Sequence, residues 1–227
     1  MTKSAVAASM TKSAVAALLL AVVSACVACN AEAPPRTPKQ PQEPPVPAGS
    51  DLSGGRWGEF RSKRFDLVIP LPDGKAWRID DTTTPWFEAR HPVSSSTLSL
   101  RVWREGDIMN RDRCEAKVRQ WKKLPPRDDW EVLRRDRVEF PPDFDTAVDV
   151  ALLSPRPGAP LEALVVAVGG WAHRCFAYVY RTSAAGPRAE AIIGARLAAM
   201  VDGSLAQLSY RSDLTPTIPR EEPAAPR

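Results

Sequence analysis

Histidine is nearly absent from this chain of 227 residues, which has only His91 and His173. With four cysteines beside them, little material is left for a tetrahedral metal centre, which takes four ligands or three and a water. An excess of one charge is missing too. The 31 lysines and arginines stand against 27 aspartates and glutamates, a formal net charge of +4, which is no electrostatic footprint for nucleic acid. The basic residues that crowd at Arg111, Arg113, Lys117, Arg119, Lys122 and Lys123 are accounted for by the charged outer face of a helix. No apolar run is long enough to cross a bilayer as a permanent helix; the longest, Ala14 to Ala25, holds about a dozen residues. The glycines form neither a phosphate-cradling loop nor a dinucleotide fingerprint, and no serine sits in a Gly-x-Ser-x-Gly elbow.

What is present begins with that short apolar run. Lys3 and Lys12 precede it and small residues close it, the pattern of an export signal. Met1 to Ala8 recur as Met10 to Ala17, a repeat too short for a solenoid unit, which makes Met10 a second plausible start. The ending Val23-Ser24-Ala25-Cys26 resembles the lipobox of bacterial lipoprotein precursors. The resemblance implies that residues 1–25 are a signal peptide and that the Cys26 thiol receives diacylglycerol, with palmitate among the acyl chains. Cys26 then becomes the first residue of the mature chain. Stable anchoring takes more than one acyl chain, and this modification supplies at least two. Two rivals are weighed: a plain secretory cut after Ala25 or Ala28, and lipidation of Cys29, which would put Cys26 where the lipobox wants Leu, Val or Ile. Val27 rather than aspartate after the anchor implies, by the enterobacterial sorting rule, the outer membrane of a Gram-negative envelope. Loss of Lys3 and Lys12 takes the formal charge from +4 to about +2. Cys26-Val27-Ala28-Cys29 also spells a CxxC motif, but between a leader and a proline-rich segment it lacks the strand-to-helix context that makes such thiols reactive.

Between Ala31 and Gly49, prolines from Pro34 to Pro47 interleave with Arg, Lys, Gln and Glu, so residues 26–54 are read as the lipidated N-terminus and a disordered, extended spacer. At about 3.1 Å per residue, some 20 such residues reach up to roughly 60 Å. Residues 212–227 repeat the composition in small and are expected to be a disordered tail. Between them, residues 55–211 are expected to form a single globular domain.

In that domain Phe65, Leu67 and Ile69 open a first strand, and 86–90 and 97–103 read as two more, with Leu98, Leu100 and Val102 on the buried face. Asn110 stands at a helix cap, and Cys114, Val118 and Trp121 form one stripe that ends before Pro125-Pro126. Strands are expected over 132–140 and 146–153. Residues 161–168 and 171–181 then form a hairpin turning at Gly169-Gly170, with Leu164, Val166, Trp171, His173, Cys175, Ala177 and Val179 on one face. A last helix carries Ala189, Ile193, Leu197 and Met200 and stops at Gly203. Strands, helix, strands, helix make an α+β fold, an antiparallel sheet with two flanking helices. The layout resembles the PsbP-like α/β/α sandwich, through Phe65 to Pro70, Trp77, the paired long strands and the final helix running into Asp202-Gly203-Ser204-Leu205. The resemblance implies a non-enzymatic accessory or binding role and assigns no residue.

Export to an oxidising compartment, with Cys114 and Cys175 both pointing inward, predicts a disulfide between them; two buried free thiols are the alternative. A further alternative is a zinc site that adds His173. Ser94-Ser95-Ser96 near His91, and the carboxylate pairs Asp80-Asp81, Asp128-Asp129 and Asp143 with Asp145, read as turn chemistry rather than as catalysts. Of the seven tryptophans, Trp103 faces away from Leu98, Leu100 and Val102 with Arg101 flanking it; exposed, it would be the candidate binding residue, and the alternative is a ring covered by a helix or linker. No cofactor and no catalytic residue is expected. The functional expectation is a lipid-anchored envelope lipoprotein working by contact with another envelope protein. A small-ligand or glycan-binding module using exposed tryptophans comes second, and a hydrolase third.

Overall fold

Alternating apolar residues build two antiparallel sheets in the computed structural model, which describes residues 52, 56–138, 140, 144–153 and 158–211. The signal peptide, Cys26 and the tail lie outside the described residues, as does all of the spacer except Leu52. A small sheet orders β1 (Gly58–Ser62), β2 (Leu67–Leu71) and β10 (Ser209–Tyr210) as β1-β2-β10. A seven-stranded sheet contains β3 (Arg78–Asp80), β4 (Phe87–His91), β5 (Ser96–Arg104), β6 (Trp130–Val138), β7 (Asp145–Leu153), β8 (Leu161–Trp171) and β9 (Arg174–Ala184). Its order is β3-β4-β5-β9-β8-β7-β6.

Each face of the large sheet carries its own apolar core, because residues of both parities along the central strands are apolar. On one face Phe87, Leu98, Leu100, Val165, Phe176, Tyr178 and Tyr180 pack against β2 and α2 (Ala189–Ala198). On the other, Leu164, Val166, Val168, Cys175, Ala177 and Val179 pack beneath α1 (Arg111–Gln120). The chain is thus α+β, with an antiparallel sheet and two helices on opposite faces. Asn110 caps α1 by accepting from the Arg113 N–H at 3.0 Å, and Cys114 and Val118 are its buried residues.

Two readings of glycine need correction. Gly169-Gly170 is not the hairpin turn: β8 runs through both, and Trp171 pairs with Arg174. The turn is Ala172-His173, with Ala172 at φ 52°. The glycines answer to space instead. A Cβ on Gly169 would stand 1.9 Å from Thr146 Oγ1, and one on Gly170 would stand 2.6 Å from the Asn110 carbonyl carbon, where α1 begins. Trp171 in consequence leaves the face shared by Cys175 and Ala177 and is half exposed, and His173 sits in the turn. Gly203 does not stop the last helix either. The chain continues through a π turn, Ala199–Ser204, and a 3-10 turn, Leu205–Gln207, before β10.

Candidate functional site

α1 meets the sheet at a covalent link, since Cys114 and Cys175 form a disulfide with Cα atoms 5.6 Å apart and both residues fully buried. Gly170, directly across the ladder from Cys175, lets the helix approach closely enough for it. The bridge consumes both thiols that the zinc alternative needed. His173 points its Nδ1 at the Asp107 carbonyl oxygen, 3.0 Å away. No cluster of three or more metal-binding side chains occurs among the described residues.

Trp103, the candidate binding residue, requires correction, for it is only 8% exposed. It does lie on the face opposite Leu98 and Leu100, but that face carries the second core, and Trp121 at the end of α1 meets its ring at 5.0 Å. Its Nε1–H donates to Glu105 at 3.1 Å. Trp86, Trp103 and Trp121 surround the Arg101 guanidinium at 6.0, 5.9 and 4.3 Å. Burial and then the charge of Arg64 pull the Arg101 pKa down, against Glu105. This is a cation box already filled by the chain's own arginine.

Folding assembles one constellation that catalysis would recognise. Ser94 Oγ lies 2.8 Å from His91 Nδ1, and His91 Nε2 lies 3.3 Å from Asp73 Oδ2. Accessibility decides its role: His91 is 0% and Ser94 1% exposed, so no substrate carbonyl reaches the hydroxyl. The Ser94 N–H also donates to Nδ1, at 3.2 Å, occupying the lone pair a general base would use. Ser94 Oγ continues to Ser96 Oγ, and Ser96 to Tyr180 and Thr182, on which Arg196 of α2 donates. The relay fastens the β4–β5 turn to α2. Buried polar groups so connected are satisfied rather than reactive.

An open cavity of about 1050 Å³ lies between α1 and the strands β6 and β7. Arginines and carboxylates line it, and they are engaged with each other: Arg135 and Arg127 donate to Asp149 at 2.6 and 3.1 Å, and Arg119 to Glu115 at 2.6 Å. Burial pushes the Asp149 carboxyl up, but the two arginines outweigh it and hold the group below the usual carboxylate range. An acid held ionised cannot deliver a proton near neutrality. Asp80 accepts from the N–H groups of Thr82 and Thr83 and from the Thr83 hydroxyl, led by the latter residue, which hold its pKa at about 2. Asp128 and Asp129 sit in a 3-10 turn, Asp145 opens β7 beside Arg111, and Asp143 lies outside the described residues.

Two tryptophans are accessible among the described residues, Trp171 beside the β8–β9 turn and Trp57, which is 50% exposed just ahead of β1 and which the sequence reading passed over as a binding candidate. The Trp57 ring lies on the backbone of Gly203, where a Cβ would come within 2.2 Å of it. Depressions of about 650 and 730 Å³ adjoin it, with Arg56, Glu59, Asp73 and Lys75 lining the first and Glu59, Asp202 and Gln207 the second. The juxtaposition of Trp57 and Gly203 across nearly the whole domain left no local signal.

No helix among the described residues is long and apolar enough to cross a membrane. No protein-family model matches the chain, and no curated protein sequence does. Among solved structures, the chain is similar to a crystal structure from Bacteroides thetaiotaomicron VPI-5482, with 12% identity and a TM-score of 0.38 over 67% of this chain. It spans about half, 48%, of that protein's length.

Proposed function

We propose that this chain is an exported lipoprotein, anchored through acylated Cys26 to the outer membrane of a Gram-negative envelope, whose domain works by contact with another envelope protein. The observation that carries the reading is the leader, with its two lysines, short apolar core and Val23-Ser24-Ala25-Cys26 ending. The buried Cys114–Cys175 bridge supports it, since such bonds persist in oxidising compartments. The inaccessible Ser94 and the arginine-locked Asp149 weigh against a hydrolase. The finer fold assignment we propose is the PsbP-like sandwich, on the strength of the helix, sheet, helix layering. Labelling growing cells with a palmitate analogue tests the anchor. Wild type is expected to carry label and sediment with membranes, and Cys26→Ala to lose both; label retained by Cys26→Ala would refute it.

A second reading, recognition of a sugar ring, is favoured by the half-exposed Trp57 beside two polar depressions. Trp57→Ala is expected to abolish binding to a glycan array; unchanged binding would remove this reading.

A further inference from the structure

The part of the large sheet that α1 leaves open carries a row of arginines. Register sets Arg78 opposite Arg90, Arg90 opposite Thr97, and Thr97 opposite Arg181, so the row crosses β3, β4, β5 and β9. Strand alternation puts these side chains on the face of Trp103 and Cys175. Arg78 and Arg90 are exposed, and neither side chain has an ion pair or hydrogen bond among the described residues. Arg181 is partly buried and donates to the Lys123 carbonyl oxygen at 3.1 Å. Two nearby carboxylates are committed elsewhere, Glu88 to Lys123 and Ser99 and Asp80 to Thr82 and Thr83, while Glu162 offsets part of the charge of Arg181 at the far end and leaves Arg78 and Arg90 uncompensated.

Like charges directly opposite on one sheet face are destabilising. A local rule broken without internal compensation marks a functional surface. Uncommitted guanidinium forks fit carboxylates two N–H groups at a time. With strands about 4.8 Å apart, Arg78 to Arg181 spans roughly 14 Å, the length of about four residues of extended chain.

We propose that this row docks an acidic segment of a partner protein, its carboxylates paired with Arg78, Arg90 and the remaining donors of Arg181. A lipid surface fits less well. Asp80, Glu88 and Glu162 share the face and border the row, so an anionic plane would meet them too, whereas a narrow chain lies along the arginines alone. The proposal rests on the contact reading above and adds the partner's chemistry.

The test titrates full-length protein into a fluorescein-labelled octaglutamate peptide and follows anisotropy, with co-sedimentation on phosphatidylglycerol vesicles as the second arm. The Arg78→Ser/Arg90→Ser variant removes two exposed groups that hold no other residue, so its circular dichroism is expected to match wild type. Peptide affinity is expected to fall about tenfold in the double variant, and Arg90→Glu to weaken it further. Equal binding by wild type and double variant, or no binding by wild type, overturns the proposal. Arginine-dependent capture by vesicles in preference to the peptide also overturns it and assigns the row to the membrane. Cross-linking in cells separates this proposal from the reading beneath it. A partner species that persists in the double variant sinks the arginine row and keeps the contact reading. No partner species for wild type, together with arginine-dependent peptide binding, does the reverse.

Discussion

Gly170 faces Cys175 across the β8–β9 ladder, and a Cβ added to it would stand 2.8 Å from the Sγ of Cys114, the other half of the bridge. The disulfide and the glycine are two parts of one joint between α1 and the sheet. Gly170→Ala is therefore expected to destabilise the domain by about 1–3 kcal/mol, an overpacking cost, because the atoms in the way include the Asn110 backbone, which cannot swing aside. Urea unfolding of wild type and variant under non-reducing conditions measures it; an unchanged midpoint would show that α1 has room to move.

Breaking the bridge itself releases a loop with 61 residues of sequence separation. The chain-entropy account then predicts a loss of about 4 kcal/mol, with measured cases running from 2 upward. Cys114→Ala/Cys175→Ala compared with wild type, each with and without reductant, checks this. Reductant is expected to lower the stability of wild type alone.

Acid sensitivity follows from two carboxylates. Asp80 is held at about 2, below its ordinary 3.8, by its threonine hydrogen bonds, and Asp149 is held low by Arg135 and Arg127 against burial. A group depressed on folding contributes stability that is present above its unfolded pKa and is lost as pH falls through the folded one. The urea midpoint is expected to hold from pH 7 to about 4 and to decline toward 2. Asp149→Asn is expected to lower the midpoint at pH 7 and flatten the decline. Carboxyl NMR titration is expected to place Asp80 near 2, with Thr83→Val raising it.

Ser94 gives the prediction that separates structure from catalysis. Ser94→Ala is expected to cost about 1–3 kcal/mol, since His91 and Ser96 lose a buried partner. A fluorophosphonate probe is expected to leave folded wild type unlabelled at this position. Labelling of Ser94 in the native protein would restore the hydrolase reading.

Features carried by residues close in sequence were the legible ones. The Asn110 cap, the inward Cys114 and Val118, and the apolar strands around Leu164 and Ala177 all follow from periods of 3.6 and 2. The turn at Ala172 was not legible, because a glycine pair signals positive φ and close approach alike, and here only the second operates. The face of Trp103 was legible but its burial was not, because alternation tells which residues share a face, not whether that face is covered. The Asp73, His91 and Ser94 contact, the Trp57 seat on Gly203 and the opposition of Arg78 to Arg90 depend on register and on segments brought together by folding. No window of sequence contains them.

The placing of β1 at the edge of the three-stranded sheet has a mechanical consequence. Tension entering from the N-terminal side meets Trp57 and then Gly58, whose ladder partner is Leu71 at the far end of β2. Pulled from that end, an outer antiparallel strand peels away one hydrogen bond at a time, a low-force response, rather than shearing as a unit. The disulfide keeps the stretch between Cys114 and Cys175 from contributing to any extension. The fold would thus yield softly at its N-terminal margin and lengthen by a limited amount, a built-in slack that leaves the bridged sheet and its arginine row in place.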